Sequence, residues 1–471
     1  MKYDYEDLYA AKKTYGQDIN TSLGNAADPI DADQKLQEDA LMSYVASVNY
    51  SYDDKYYASF SFRRDGSSRL SPDTRWGNFW SLSASWRLSQ ERFMQPLKSV
   101  LSDLKLRASY GVNGNLPSSY YGYQSTYTTG AFYSGKPSPW ESTLGNEELT
   151  WEKNYALNLG LDIGLFSRVN VSLDWYTRTT KDLLMSKQLN SISGFSSLLT
   201  NVGQMRNTGV ELEVRSNNIK TKDFSWTTAF NLSHNKNKIL KLADLPWFVD
   251  GRYVRKEGYP FNTIYLREYA GVDPETGSAL YYDNQQDENG NYTKNKVTDP
   301  GQASPIPLKD ITPTISGGFM NTFNYKFIDL SFNLSYSFGG YSYDNASYIL
   351  QDDGYSVISN KSTEQRRRWQ KPGDITDVPR FVYGNKKGGN HNSSRAIHST
   401  DHIRLKSLIL GLNAPKAWLQ KLGIGNARIY FSGTNLLTWA AYDQYDPEMS
   451  GVVGFYTPPL KTYAFGLELK F

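Results

Sequence analysis

Thr462-Tyr463-Ala464-Phe465-Gly466-Leu467-Glu468-Leu469-Lys470-Phe471 is the stretch on which the fold turns. Successive side chains of an extended strand point to opposite faces. Tyr463, Phe465, Leu467, Leu469 and Phe471 therefore share one face, and Ala464, Gly466, Glu468 and Lys470 the other. One face is apolar and the other is small or charged. An edge strand of a soluble sheet and a strand with one side in lipid both fit this pattern, so the other strands decide.

The same period of two recurs upstream. Its cleanest instance sets Ile328, Leu330, Phe332, Leu334, Tyr336 and Phe338 against Asp329, Ser331, Asn333, Ser335 and Ser337. It also runs through 44–52 and 56–63, joined by Asp53-Asp54-Lys55, and through 80–87 and 104–110. Residues 155–163 return through Phe166-Ser167-Arg168 into 169–176. Further alternating segments are 210–214, 224–232, 315–325, 403–412 and 427–436. The total is about 13 strands, many of them about 9 to 11 residues long, roughly twice the usual length in soluble sheets. At ~3.3 Å per residue and ~40° tilt such strands span roughly 25 Å, the height of an outer-membrane apolar band. Short turns and long excursions alternate strictly between them, as periplasmic turns and extracellular loops do. The reading is an all-β chain whose residues 44–471 form a transmembrane antiparallel β-barrel portion. Long outer loops are expected at 111–150, 233–313, 339–401 and 437–461, and residues 1–43 as an extracellular loop or truncated start. Short helices are expected within 88–103 and over 415–422, the second closed by Gly423.

Composition agrees and excludes alternatives. Lys and Arg number 51 against 48 Asp and Glu, a net charge of +3 that points at neither nucleic acid nor an acidic partner. The chain has no Cys, so disulfides and thiolate metal sites are excluded. Mean hydropathy is −0.59, and no apolar run approaches the roughly 18 residues of a membrane helix. The 36 Tyr, 21 Phe and 11 Trp suit the aromatic girdles of a barrel. Met1-Lys2-Tyr3-Asp4-Tyr5-Glu6-Asp7 carries no apolar export signal. An odd strand count departs from the even number of single-chain bacterial barrels, so the chain is expected to be the carboxyl-terminal portion of a larger barrel.

No catalytic set emerges, and neither a cofactor nor a metal is expected. His398 and His402 flank Asp401 at a spacing that would suit a metal on a helix, but in a strand such positions lie roughly 13 Å apart. Asp287, Asn289 and Gly290 echo a calcium loop whose first and twelfth positions, Gln285 and Lys296, are unsuited to the ion. Arg366-Arg367-Arg368-Trp369 offers a grip for an anion or, equally, a loop ion-pair network.

Several motifs carry a family resemblance. Arg63-Arg64-Asp65-Gly66-Ser67-Ser68-Arg69, Arg75-Trp76-Gly77, Leu106-Arg107-Ala108-Ser109-Tyr110-Gly111 and Trp151-Glu152-Lys153 resemble the SusC/RagA-type TonB-linked outer-membrane transporters. So do Asn207-Thr208-Gly209-Val210-Glu211-Leu212, Gly271-Val272-Asp273-Pro274-Glu275-Thr276-Gly277 and Gly433-Thr434-Asn435-Leu436-Leu437. The resemblance implies about 13 strands of a 22-stranded, plugged barrel in the outer membrane of a Gram-negative bacterium. It implies import of oligosaccharides (glycans) or peptides, energy from the TonB complex, and a SusD-like surface lipoprotein as lid. The plug domain and early strands are not found in this stretch. In such barrels a closing strand ending on Phe is an assembly signal, a role that would fall to Tyr463, Phe465, Leu467, Leu469 and Phe471. Loop aromatics Tyr120, Tyr121, Tyr123, Trp140, Trp247, Tyr355 and Trp369 are expected ligand contacts, because an aromatic face suits the C–H side of a pyranose; holding the loops together is the alternative. A non-transporting barrel, adhesin or passive pore, is the second reading, and a soluble carbohydrate-binding β-protein or glycosidase the third.

Overall fold

The computed structural model describes residues 2–15, 26–242, 246–356, 358–385, 392–415, 419 and 424–471. Among them fourteen strands follow one another in a single hydrogen-bonded order. They are Lys2–Tyr15, Ala26–Tyr52, Tyr56–Ser67, Trp76–Arg87, Leu101–Asn115, Glu152–Leu165 and Val169–Lys181, then Gln204–Lys220, Phe224–Lys241, Ile315–Tyr325, Ile328–Phe338, His402–Asn413, Asn426–Ala440 and Thr462–Lys470. Thirteen of these contain the alternating segments. The fourteenth, Lys2–Tyr15, pairs antiparallel with the first part of Ala26–Tyr52, so residues 2–15 and 26–43 are strand where a loop was expected from their polarity. A backbone ladder satisfies N–H and C=O groups whatever the side chains, and period-two reading detects only the part of a strand with one greasy face.

The same reason corrects the loop boundaries. Phe224–Lys241 continues well past the last apolar alternate, and Asn426–Ala440 runs into the expected 437–461 loop. The long excursions are folded as well. Residues 111–150 contain the hairpin Thr126–Tyr133 with Lys136–Thr143. Residues 233–313 hold a four-stranded and a three-stranded sheet. In the 339–401 excursion Tyr341–Asp344 pairs with Ile397–Ser399 on one side and with Gly451–Val453, from the 437–461 loop, on the other. The helix expected within 88–103 is replaced by two 3₁₀ turns, Leu88–Gln90 and Arg92–Leu97, because Pro96 offers no amide and the next strand begins at Leu101. The helix expected over 415–422 and its Gly423 cap lie outside the described residues, Pro415 and Leu419 excepted. At two of the short turns both central residues take positive φ, Asp53 and Asp54 at +51° and +49° and Phe166 and Ser167 at +52° and +53°. Positive φ at both central residues gives a turn whose twist matches that of the flanking strands.

The chain divides into two compact units. In the one comprising Met1–Ser85, Ala108–Asn158 and Arg178–Met205, the core is Leu70, Phe79, Val112, Leu149 and Trp151. Two of the family-like motifs meet there: the Trp151 indole donates to the Arg75 carbonyl at 2.8 Å, and Trp151 packs edge-on to Phe79 at 5.2 Å. Arg69 lies 4.2 Å over the Tyr120 ring and donates to Asp39 at 3.0 Å.

In the other unit, register assigns the faces of the terminal strands. Ile429 sits opposite Leu467 and Phe431 opposite Phe465, while Arg428 sits opposite Glu468. The apolar face stays exposed, Phe465 at 80% and Leu467 at 62%, and farther round the sheet Trp226, Phe323 and Phe332 are stacked at 5.5 and 6.3 Å. Such a continuous exposed apolar face belongs against hydrocarbon. The opposite face carries ion pairs that cross an intervening strand over a glycine. Arg428 reaches Asp329 at 2.6 Å past Gly411, where a Cβ would lie 2.5 Å from the carboxylate. Arg107 reaches Asp162 at 2.8 Å and, beyond it, Asp174 at 2.9 Å, passing Gly160, where a Cβ would lie 2.6 Å from the guanidinium carbon. Each glycine leaves the room in which a side chain bridges three strands.

Filling that room should cost stability. Gly411→Val is expected to lower unfolding free energy by about 1–3 kcal/mol, the usual effect of overpacking, read as a lower urea midpoint of the protein folded in lipid vesicles. An unchanged midpoint would show that the crossing contributes nothing.

Candidate ligand-binding site

A short hairpin inside the 233–313 excursion builds one side of a cleft. Trp247–Asp250 turns through Gly251, at φ +60°, into Tyr253–Lys256, and register sets Trp247 opposite Lys256 and Val249 opposite Val254. Directly opposed residues project on one face. Val254 in turn faces Thr263, two residues before Tyr265, and Tyr265 faces Pro307. Trp247, Lys256, Val254, Tyr265 and Pro307 thus form a floor, while Ile264 and Leu266 on the alternate face pack with Tyr343 and Ala396 as core.

The facing wall is the segment 283–304. Asp283 accepts from Thr293 Oγ1 at 2.8 Å and Asn295 Nδ2 at 2.9 Å, and Asp287 accepts from the amides of Asn289 and Asn291 at 2.9 and 2.8 Å. These hydrogen bonds hold both carboxyls below the usual carboxylate range. The turn that echoes a calcium loop therefore spends its Asp287 carboxylate on its own amides. Lys294 bridges Glu268 and Asn284, the latter at 3.0 Å. Thus fixed, the segment presents Gln285, Gln286 and Tyr292 to the floor across a cleft of about 470 Å³, within the range of small-molecule sites.

Of the seven loop aromatics singled out from sequence, Trp247 alone lines this cleft, its ring 5.9 Å from that of Tyr265 and tilted 49° to it. Trp369 donates to the Pro274 carbonyl at 2.9 Å and lies over Gly277, where a Cβ would meet its ring at 2.4 Å. It is a strut for the Asp273–Gly277 turn. Tyr120 is held under Arg69, the Tyr121 hydroxyl accepts the Glu38 amide at 3.1 Å, and Tyr123 packs on the neighbouring core. Trp140 and Tyr355 are exposed. Tyr463, Phe465, Leu467, Leu469 and Phe471 are all exposed, the first four on the terminal strand. Sequence reading missed Lys256, Tyr265, Gln286 and Tyr292; the Asp250-Gly251 hairpin signal could have placed Lys256 opposite Trp247.

Arg367, His402 and His398 among the remaining sequence candidates are engaged by the protein. Arg367 pairs with Asp377 at 2.7 Å and with Glu364 at 3.1 Å. His402 Nδ1 lies 2.8 Å from the Thr400 carbonyl. His398 stacks on Tyr442, ring centroids 3.7 Å apart, and the Tyr442 hydroxyl donates to Asp344 at 2.9 Å. No group of metal-ligating side chains that could hold an ion occurs among the described residues. His391 lies outside them.

Comparison with known proteins decides what carries this cleft. Residues 2–264 match the family described as TonB dependent receptor-like, beta-barrel. The chain belongs to that family. It is 33% identical to TonB-dependent receptor P3 of Formosa agariphila over 93% of this chain and 46% of that protein. Against TonB-dependent receptor SusC of Bacteroides thetaiotaomicron it is 30% identical over 93% of this chain and 45% of that protein. A solved structure of the RagAB peptide transporter superposes with a TM-score of 0.88 at 30% identity, covering all of this chain and 52% of that one. The RagAB peptide importer in its "open-open" state gives 0.86 over 51% of that chain. The chain thus spans about half the length of the relatives it matches. It is an outer-membrane β-barrel chain of the SusC/RagA type from a Gram-negative bacterium, in a family of receptors and transporters rather than enzymes.

Burial depresses the His398 pKa, against a weaker upward pull from Asp344; Tyr442 is its stacking partner. A proton is therefore taken up more readily once this segment opens, so the stabilisation is complete above about pH 6.5 and lost as pH falls through the lower folded value. Amide exchange in Ile397–Ser399, corrected for intrinsic rates, is expected to be severalfold faster at about pH 5 than at about pH 7.5. His398→Asn should remove the difference; equal exchange at both pH values in the unaltered protein would refute it.

Proposed function

We propose that the chain is the wall-and-loop portion of a TonB-dependent importer that takes up oligosaccharide or peptide nutrients. A plug supplied elsewhere in the full-length protein gates the path, the TonB complex supplies the energy, and a SusD-like surface lipoprotein closes over the loops. The observation that carries this reading is the two-faced sheet: an exposed apolar face, and an opposite face with ion pairs such as Arg428–Asp329 and Arg107–Asp162. A polar inner wall suits passage of a hydrophilic solute. The folded long excursions supply capture surface, with Trp140, Tyr355 and the Trp247 cleft open to a ligand and Tyr120, Tyr121, Tyr123 and Trp369 bracing them. The terminal Tyr463, Phe465, Leu467, Leu469 and Phe471 serve as the barrel assembly signal.

Energy dependence separates an importer from an adhesin or passive pore. Cells carrying the full-length protein should accumulate a fluorescent oligosaccharide or peptide above the external concentration. Accumulation should fall to the level of a gene-deletion strain when the proton-motive force is collapsed, and the protein should copurify with a lipidated partner. Uptake indifferent to the uncoupler, or none, would overturn the importer reading.

A further inference from the structure

The cleft beside Trp247 has a chemistry more specific than that of a general nutrient trap. Its floor offers two neighbouring aromatic rings, Trp247 and Tyr265, at 49° to each other, apolar surface that suits the C–H side of a saccharide ring. Its wall offers the Gln286 side-chain amide, which can donate and accept at once as a hydroxyl does, and the Tyr292 phenol. Among the described residues neither Gln286, Tyr292 nor Tyr265 uses its side-chain polar atoms in a hydrogen bond within the protein. Gln285, by contrast, donates to Ser304 at 3.2 Å and belongs to the frame.

Lys256 sets the charge. Lys256 is partly buried, its ammonium lies 5.0 Å over the Tyr259 ring, and it enters no ion pair among the described residues. Among the described residues no carboxylate lines the cleft, and the nearby acids are engaged elsewhere: Asp283 by Thr293 and Asn295, Glu268 by Lys294. A buttressed cation with no ion-pair partner among the described residues, next to aromatic platforms and uncommitted amide and phenol groups, is complementary to a sugar ring that carries an anion. We infer that the cleft formed by Trp247, Lys256, Tyr265, Gln286 and Tyr292 is a binding subsite for an anionic pyranoside, a uronate or a sulfate ester within an oligosaccharide. The anionic group pairs with Lys256, the ring lies on Trp247 and Tyr265, and Gln286 and Tyr292 meet its hydroxyls. The inference rests on the importer reading for its place in uptake, but the binding itself needs neither TonB nor a partner.

Calorimetric titration of the full-length protein in detergent tests it, with an oligogalacturonate, a sulfated oligosaccharide, a neutral malto-oligosaccharide and an acidic peptide as probes. At least one of the two anionic sugars should bind about tenfold or more tightly than the neutral one, the worth of a charge-assisted hydrogen bond, and which of them does so identifies the anion. Lys256→Gln should remove that preference while sparing residual neutral-sugar binding, and Trp247→Ala should abolish saccharide binding. Each variant is first shown to keep the heat-modifiable mobility of a folded barrel. Equal affinity for neutral and anionic sugars, a preference that survives Lys256→Gln, tighter binding of the acidic peptide than of either anionic sugar, or no saccharide binding would each overturn the inference. Loss of uptake with saccharide binding intact would instead count against the importer reading.

Discussion

A backbone that crosses hydrocarbon must satisfy every N–H and C=O from within the protein, because no water is there to accept or donate. The rest of this structure depends on that constraint. It excludes irregular chain at lipid depth and leaves a helix or a paired strand, and no helix among the described residues is long and apolar enough to cross. Strand pairing in turn fixes register. In the Ile328–Phe338 and His402–Asn413 pair, Ile328 meets Leu412 and Leu330 meets Leu410, so aromatic and aliphatic side chains share one face and Asp329 falls on the other.

The polar face then meets its own constraint. Charges on it need partners, and a partner two strands away can be reached only where the strand between carries no side chain. Gly411 beneath Arg428–Asp329 and Gly160 beneath Arg107–Asp174 answer that need. In the excursions, water is available and the logic changes to that of small soluble sheets, with alternate residues dividing between core and cleft. Thr263–Leu266 shows the division within four residues: Ile264 and Leu266 are buried, while Tyr265 opens to the cleft.

Sequence legibility followed the same physics. The alternating segments were readable because lipid on one side and polar surroundings on the other impose a period of two, and Tyr463 to Leu469 declare it within a few residues. Lys2–Tyr15 and the far half of Phe224–Lys241 were not, because beyond the lipid band pairing persists while the hydrophobic signal ends. The cleft was legible in one residue, Trp247. Lys256, nine positions on, becomes its neighbour only through the Gly251 turn, and Tyr292 comes opposite them only because Asp283 and Asp287 fold their own loop back. Trp369 shows the converse: an aromatic in a polar loop fits either a ligand contact or a brace, and its indole is committed to Pro274 and Gly277.

One face of the terminal strands meets lipid and the other water. The chain has no cysteine, so spin labels can be placed singly at each position from Tyr463 to Leu469 in the protein reconstituted into bilayers, and their collision rates with oxygen and with a water-soluble nickel complex measured. Oxygen accessibility should peak at 463, 465, 467 and 469 and nickel accessibility at 464, 466 and 468, out of phase along the strand. Flat profiles, or oxygen peaks at the even positions, would contradict it.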